Sequence, residues 1–223
     1  DPDDPECKRS GNEPIQPPTH CPECEEELVD YTCINPNCPC RLRGKILMYV
    51  KETGMKGIGE ATINDLWKAG IIRSVVDLYK LRKKYDEIVQ LPGWDSTSAM
   101  KLIMSVEKYG LTIPANIFMS AIGIFSVGKK TFNKIFEYYK IEELIEFAED
   151  MKVSELVRIP GIAQLSAMKI LTGIKENRKL ITKLMDKYVD VVYTNDNDAK
   201  FIAVFHKIRS DLIKEAVEKH GGR

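Results

Sequence analysis

The chain has 223 residues, of which 43% are hydrophobic and 30% charged, an ordinary composition for a folded protein and too apolar for wholesale disorder. No apolar run approaches the ~20 residues that a membrane-spanning helix needs, so we expect no integral membrane protein and no membrane partner. The N-terminus, which begins with Asp1 and Pro2, is neither basic nor apolar and is unlike a secretory signal peptide. The length favours one or two domains.

The formal net charge of zero is unevenly distributed along the chain. Residues 1–40 carry 2 basic and 10 acidic residues, residues 41–188 carry 25 and 17, and residues 189–223 carry 6 of each. The basic middle segment is where a polyanion would bind, although such an excess is also typical of solvated helical surfaces.

All six cysteines lie within the first 40 residues, which favours an intracellular protein whose thiols serve one purpose. Cys21 and Cys24 form one closely spaced pair, and Cys33 and Cys38 form another, in the pattern C-x2-C-x8-C-x4-C. Two such pairs can offer Zn²⁺ four thiolates in a tetrahedron, which leaves no open position for a catalytic water. Residues 20–44 are therefore predicted to be a structural zinc finger that folds on the metal, with a disulfide pair or idle thiols as the alternative.

Residues 45–188 contain four copies of a pattern built on apolar-x-Gly-apolar-small, each followed by a polar residue and an amphipathic helix. Measured at residues 57, 93, 126 and 161, the copies are 36, 33 and 35 residues apart. Helices joined by tight turns at such a period indicate a helix-hairpin-helix array. The four motifs lie near residues 55–69, 91–109, 122–140 and 159–176.

Each predicted hairpin has features that suit a phosphate group. Glycine lets the turn backbone approach a ligand, and the unpaired N–H groups that open the next helix point outward with the positive end of the helix dipole. No residue that would read base edges is evident, so we expect contacts to a nucleic-acid backbone that are insensitive to sequence. The alternative is that the turns only pack helices together.

The first and third hairpins are the better candidates for phosphate contact. Asp95 and Ala163 replace the second glycine of the motif in the other two, and the carboxylate of Asp95 would repel phosphate. Lysines just inside the helices add positive charge. The candidate residues for DNA binding are Gly57, Gly59, Gly93, Gly128, Gly161, Lys101, Lys129, Lys130 and Lys169.

Residues 189–223 change character again. Residues 189–193 and 201–205 are β-branched and aromatic runs around a polar turn, which predicts two strands, and residues 209–220 predict a short helix. Such an α/β opening is too small to bury a core alone. The whole chain is thus predicted to be mainly α-helical, with a four-cysteine zinc finger, a four-motif helical hairpin domain and an incomplete β-α start. Five methionines are expected to fill gaps in the core: Met48, Met100, Met104, Met119 and Met168.

The order of these segments closely resembles the C-terminal half of NAD-dependent DNA ligases, over roughly residues 11–223. In that family a zinc finger joins an OB-fold to a helix-hairpin-helix domain that grips the minor groove around a nick, and a BRCT domain follows. The resemblance implies that residues 1–19 are the end of the OB-fold region and that residues 189–223 begin a BRCT-like domain. The matching sequences are residues 17–24, 33–39, 57–60, 121–124 and 127–131.

The resemblance also implies roles for single residues. It makes Gly57, Gly59 and Gly128 phosphate-facing turn residues. The four zinc ligands would be Cys21, Cys24, Cys33 and Cys38.

Catalysis is not implied for this chain by itself. The adenylation site of the family needs a Lys-x-Asp-Gly tetrapeptide, which occurs nowhere in the 223 residues. We therefore expect the nick-engaging, sequence-independent DNA-binding portion of an NAD-dependent ligase, inactive alone and located in a bacterial cytoplasm, or in the host cytoplasm if viral. NAD would be used by adenylation and OB domains on the same or a separate polypeptide, as in split phage ligases. The alternative is a stand-alone helix-hairpin-helix DNA-binding or scaffolding module in DNA repair.

Overall fold

The fold is known from a computed structural model, which describes residues 17–193. Contacts within the chain divide it into two compact units, residues 1–42 and residues 43–223. Helices dominate the described residues and the strands are few and short, which confirms the prediction of a mainly α-helical protein. The strand predicted at residues 201–205 and the helix predicted at 209–220 lie outside the described residues.

The first unit contains a two-stranded antiparallel hairpin. β1 (Leu28–Val29) pairs with β2 (Thr32–Cys33). The two residues between the strands, Asp30 and Tyr31, have φ values of 48° and 59°, the left-handed pair of a type I′ turn. Because the twist of that turn matches the twist of the strands, two residues are enough to close the hairpin.

The helices follow one another with short connections, and a 3₁₀ turn, Leu81–Lys84, precedes the fourth of them. They are α1 (Pro39–Thr53), α2 (Glu60–Lys68), α3 (Val75–Leu78), α4 (Tyr85–Val89), α5 (Ser96–Gly110), α6 (Ala115–Ile122), α7 (Lys129–Phe136), α8 (Ile141–Glu149), α9 (Val153–Val157) and α10 (Gln164–Lys187). Within residues 17–193, none of these helices combines the length and the apolar character needed to cross a bilayer.

The apolar periodicity read from the sequence is the buried face of the helices. In α5, Ala99, Leu102 and Val106 are buried, as the i, i+3, i+7 spacing predicts. In α7, Phe132 and Ile135 are fully buried. The stripe of each helix therefore faces one common core, which forms the interior of the second unit.

The second unit is built as two consecutive copies of one pattern. In the first copy the hairpins α1–α2 and α4–α5 are joined by α3, and in the second copy the hairpins α6–α7 and α9–α10 are joined by α8. A short strand follows each copy, β3 (Thr112–Pro114) after α5 and β4 (Asp190–Val192) after α10. The fourfold sequence repeat is thus a duplication of a unit with two hairpins.

The strands β3 and β4 pair in parallel, with Ile113 opposite Val191. The sequence predicts a strand at residues 189–193 as the opening of a BRCT-like domain. The strand is present, but its partner among residues 17–193 is β3 of the helical unit. The remainder of the BRCT-like start lies outside the described residues and stays a prediction.

A chain of tyrosines crosses the core of the second unit. The hydroxyl of Tyr79 donates to the carbonyl oxygen of Gly110 at 3.0 Å, which leaves Tyr49 to donate to Tyr79 at 2.6 Å. The Tyr79 ring also stacks on Tyr188 with a centroid distance of 5.4 Å. Burial raises the pKa of Tyr79 to about 12, so the hydroxyl stays protonated and able to donate. This network ties α1, α3 and α5 to the end of α10.

The methionine prediction is wrong at four of five positions. Met119 is fully buried, but Met48, Met100, Met104 and Met168 are 36–58% exposed. Their positions in the helices fall outside the buried stripe, so an apolar side chain there reaches the surface. The sequence pattern identifies the stripe but does not exclude apolar residues beside it.

Gly173 in α10 is buried against the third hairpin, and we expect alanine there to destabilise the fold. A Cβ at Gly173 would lie 2.4 Å from Cγ2 of Ile124, and overpacking of this kind costs ~1–3 kcal/mol, more than the gain of ~1 kcal/mol in helix propensity. Gly44 in α1 is the matched control, because a Cβ there meets nothing within 4 Å. Chemical denaturation should show Gly173→Ala less stable and Gly44→Ala more stable than the parent; equal gains would contradict the packing described.

Candidate functional site

The four predicted cysteines come together in the first unit. The sulfur atoms of Cys21, Cys24, Cys33 and Cys38 all lie within 4.8 Å of one another. Cys21 and Cys38 are 3.7 Å apart at Sγ, and Cys24 and Cys33 are 3.5 Å apart. Four thiolates ~2.3 Å from a tetrahedral zinc ion lie about 3.8 Å from one another, so the cluster has the size of a metal cage.

The first pair of cysteines is positioned by a tight turn. The backbone N–H of Glu25 donates to the Cys21 carbonyl at 2.8 Å, and the N–H of Cys21 donates to the Glu26 carbonyl at 2.8 Å. Glu25 has a φ of 58°, which folds the chain back so that Cys24 faces the same point as Cys21. The turn therefore forms one chelating arm of the cluster.

The second pair is positioned by a strand and a helix start. Cys33 ends β2, and Cys38 directly precedes α1, whose first residue is Pro39. Proline suits the first position of a helix because its fixed φ is already helical and no N–H is needed there. The N–H of Leu42 donates to the Cys38 carbonyl at 3.0 Å, so the start of α1 fixes the second arm.

The thiols of the cluster differ in acidity. A hydrogen bond from the backbone N–H of Glu23 lowers the pKa of Cys21 to about 7, whereas removal from solvent raises the pKa of Cys33 to about 12. A cation bound to the four sulfurs would be needed to keep all of them as thiolates. Cys40, which the sequence places two residues after Cys38, is exposed and outside the cluster formed by the described cysteines.

The four hairpin turns share one backbone conformation. The third residue of each has a positive φ: 74° at Gly57, 81° at Gly93, 61° at Ser126 and 85° at Gly161. In the second, third and fourth turns the N–H of the fourth residue donates to the carbonyl of the first, at 3.0–3.1 Å. Ser126 occupies a conformation that favours glycine, which shows that the turn geometry is kept even where the sequence departs from the motif.

The fifth residue of each turn is the N-cap of the following helix, in extended backbone. Gly59 has φ −104°, Gly128 φ −119° and Ala163 φ −77°, and none of them provides a side-chain cap. The first N–H groups of α2, α7 and α10 thus have no capping side chain and point out of the helix. The sequence predicts outward N–H groups at every hairpin and favours the first and third for phosphate contact, because Asp95 and Ala163 replace the second glycine in the other two.

The second hairpin is capped differently. The Asp95 side chain accepts a hydrogen bond from the backbone N–H of Ser98 at 2.6 Å, and the Ser98 hydroxyl accepts one from the N–H of Asp95 at 2.9 Å. The Ser98 N–H, and after it the Ser98 hydroxyl, which donates to the carboxylate at 2.8 Å, hold the pKa of Asp95 below its ordinary value, so the carboxylate is charged. The start of α5 is therefore already occupied by an anion that belongs to the chain.

The glycines of the hairpins fall into two classes. Gly57, Gly93 and Gly161 have left-handed φ values that any side chain would strain. Gly59 and Gly128 have φ values open to any residue, and a Cβ at either would meet nothing within 4 Å. The fold itself therefore does not require glycine at these two positions. An external group that came close to the helix starts would require it, because a Cβ would stand in the way.

The candidate lysines lie on the surface, but in different settings. Lys129 and Lys130 are exposed in the first turn of α7, and Lys169 is exposed in the second turn of α10. Lys101 borders an open cavity of about 450 Å³ on α5, together with Met100 and Met104. Only the first three lysines stand beside helix starts without a capping side chain.

The third and fourth hairpins lie side by side, which the sequence does not indicate. A Cβ at Gly161 would lie 3.0 Å from Nζ of Lys134, so the end of α7 reaches over the fourth turn. The Lys169 ammonium lies 6.0 Å from the ring centroid of Phe125 in the third turn. The sequence alone indicates a role for neither Lys134 nor Phe125, because their contacts with the fourth hairpin arise only when the two hairpins lie next to each other in the fold.

The chain is similar to curated proteins named DNA ligase. It is 30% identical to the one from Persephonella marina over 96% of the chain and 32% of the relative. It is 31% identical to the one from Flavobacterium johnsoniae, with 92% and 33% covered, and 32% identical to the one from Halalkalibacterium halodurans, with 83% and 28% covered. No family model matches the chain.

These similarities confirm the resemblance to DNA ligases that the sequence indicates. They extend over most of the chain, and the four-cysteine cluster fits the zinc finger of that resemblance. The chain spans about a third of the length of the curated relatives it matches.

Proposed function

We propose that this chain is the sequence-independent DNA-binding portion of an NAD-dependent DNA ligase and holds duplex DNA around a nick. The observation that carries the proposal concerns Gly59 and Gly128. Each is the N-cap of a helix that has no side-chain cap, and the fold itself does not need glycine at either position. The similarity to proteins named DNA ligase supports a nucleic acid as the missing partner.

A phosphate group fits the start of α7 physically. The outward N–H groups and the positive end of the helix dipole attract an anion, and the missing Cβ of Gly128 lets the anion approach the backbone. Lys129 and Lys130 add two positive charges within the same turn. The start of α2 at Gly59 is a second helix start without a cap, but its first turn contains Glu60 and no lysine; we therefore assign the main contacts to the first and third hairpins, with the start of α7 as the stronger site. Gly57 belongs to the main contact of the first hairpin, and weaker contacts are assigned to Gly93, Gly161, Lys101 and Lys169.

Binding of this kind positions DNA rather than reacting with it. The chain contains no Lys-x-Asp-Gly tetrapeptide, so the lysyl adenylate of the reaction would form on a catalytic domain that also binds NAD. That domain, on the same or a separate polypeptide in the cytoplasm, would join the 3′-hydroxyl and the 5′-phosphate. The contribution of this chain is to hold the two ends in register, a positional effect on the rate.

The four-cysteine cluster is proposed to hold a structural zinc ion. The ligands would be Cys21, Cys24, Cys33 and Cys38, whose sulfur spacing matches a tetrahedral cage. The described part of the first unit has little apolar core apart from the cluster, so the metal would supply much of its folding free energy.

Purified chain should contain about one zinc ion per molecule by elemental analysis. Cys21→Ser should abolish zinc binding and unfold β1 and β2, because a three-sulfur cage loses most of its affinity. Cys40→Ser is the matched control, since Cys40 is exposed and outside the cluster, and it should keep the metal. A folded first unit that contains no zinc after expression in zinc-replete medium would contradict the site.

The hairpin contacts should be sensitive to a side chain at Gly128. Gly128→Val should weaken duplex binding about tenfold or more, because a lost hydrogen bond to a charged phosphate costs roughly 1.5–3 kcal/mol. The helix content measured by circular dichroism should be unchanged, since the backbone there suits any residue. Titration of a nicked duplex by fluorescence anisotropy measures the effect, and log affinity should fall linearly with log salt, by about 0.9 for each phosphate neutralised.

Asp95 provides an internal control at the equivalent position of the second hairpin. Asp95→Gly loses only a few tenths of a kcal/mol of capping energy and removes a charge that repels phosphate, so affinity should be unchanged or slightly higher. If Asp95→Gly weakened binding while Gly128→Val did not, the phosphate contacts would be assigned to the wrong hairpins.

The competing function is a stand-alone DNA-binding or scaffolding module in DNA repair. It uses the same hairpins but needs no catalytic partner. Co-purification with a protein that has a Lys-x-Asp-Gly motif, and faster nick sealing when the two are mixed, would favour the ligase assignment over the module.

A further inference from the structure

The tip of the third hairpin carries a large exposed aromatic side chain. Phe125 is 82% exposed, the highest value among the large hydrophobic residues described. It is held between Ile124 and Val127, whose side chains are buried in the core, and by the left-handed turn at Ser126. The ring is therefore displayed by a firmly anchored turn rather than by a loose loop.

The position of Phe125 in the repeat sets it apart. The equivalent second residue of the other turns is Lys56, Pro92 or Pro160, none of which presents an aromatic ring. A single exposed apolar residue is ordinary on a protein surface. Here, however, the ring stands four residues before the start of α7, at the same end of the hairpin as Lys129.

The fourth hairpin adds exposed apolar side chains next to Phe125. Leu165 and Met168 are 66% and 44% exposed in the first turns of α10, and Lys169, one turn after Leu165, places its ammonium 6.0 Å from the Phe125 ring. Ile124 packs on Gly173 of the same helix, so the third turn and α10 are in direct contact. The exposed apolar surface formed by Phe125, Leu165 and Met168 thus belongs to two hairpins.

The charge of the segments around this apolar surface favours a polyanion as the binding partner. Residues 108–136 contain four lysines and no acidic residue, and residues 156–175 contain three basic residues and no acidic one. Protein-protein interfaces are depleted in lysine at their centre, whereas DNA presents an apolar stack of bases between two lines of phosphate. An exposed aromatic ring with an ammonium group 6.0 Å from its centroid combines the apolar and the charged contact that such a surface offers.

The place of the ring at the tip of a turn, rather than on a helix, favours the minor groove. The minor groove of B-DNA is about 6 Å wide and the major groove about 12 Å wide, which admits a whole helix. The apolar wedges that proteins insert at base steps enter from the minor groove, and Phe125 presents its exposed ring at the tip of such a narrow turn, with the Lys169 ammonium 6.0 Å from the ring centroid. We propose that Phe125 enters the minor groove as an apolar wedge at a base step, while Lys129, Lys130 and Lys169 contact neighbouring phosphates. This inference rests on the proposed DNA-binding function.

A wedge has consequences that a phosphate contact lacks. Apolar side chains inserted at a base step partly unstack it and bend the duplex toward the major groove. The interaction releases no counterions, so its loss should lower the affinity without changing the dependence on salt. Loss of a phosphate-binding lysine should instead lower the affinity and also reduce its dependence on salt.

The test compares single variants of the chain on a nicked duplex that carries a donor and an acceptor dye at its ends. Phe125→Ala should lower the affinity about tenfold, leave the slope of log affinity against log salt unchanged and reduce the bend reported by energy transfer. Phe125→Leu, which keeps an apolar side chain, should retain part of the bend. Lys129→Ala should reduce the salt slope by up to about 0.9. Tyr138→Ala is the matched control, since Tyr138 is 54% exposed beyond the other end of α7, and it should change nothing.

The outcomes separate the wedge from the function on which it rests. If the parent chain binds the duplex with a salt-dependent affinity but Phe125→Ala binds and bends it equally well, the wedge is wrong while DNA binding holds. That result would leave Phe125 as a contact for a protein instead. If the parent chain does not bind the duplex, both proposals are wrong. Because Phe125 is mostly exposed, its replacement should not unfold the chain, which unchanged circular dichroism would verify.

Discussion

A left-handed residue at the third position of each hairpin turn is the constraint on which the surface of the helical unit depends. The φ values of 61–85° at these four positions reverse the chain within five residues and direct the start of the next helix outward. Without that reversal, the first N–H groups of α2, α7 and α10 would not face solvent. The turn keeps this conformation even where its third residue is not glycine. At Ser126 the buried neighbours Ile124 and Val127 hold it in place.

The same turn leads to different surfaces because the fifth residue differs. Asp95 satisfies the start of α5 with its own carboxylate, whereas Gly59, Gly128 and Ala163 provide no side-chain cap for the start of their helices. Duplication of a two-hairpin unit thus gives four similar scaffolds, of which one is closed to anions by its cap. The parallel pairing of β3 with β4 joins the ends of the two copies, and the tyrosine network at Tyr79 fixes the end of α10 to the first copy.

The sequence predicts well what periodicity and spacing control. The helical stripe of α5, the four turns and the cysteine cluster follow from local patterns, and the structure contains each of them. It does not predict what depends on distant neighbours, such as the pairing of residues 190–192 with residues 112–114 or the contact of Lys169 with Phe125. The prediction that the methionines fill the core is wrong at four positions for a related reason, since the hydrophobicity of a single residue does not tell whether it lies on the side of the helix that meets the core.

The most direct test of the account is amide hydrogen exchange of the chain with and without a nicked DNA duplex. The N–H groups at the start of α7, residues 129 and 130, and of α2, residues 60–62, should exchange quickly in the free chain and become protected by phosphate in the complex. Those at residues 96–98, where Asp95 caps α5, should change little. Protection at residues 96–98 without protection at residues 129 and 130 would contradict the claim that the uncapped helix starts bind the DNA backbone.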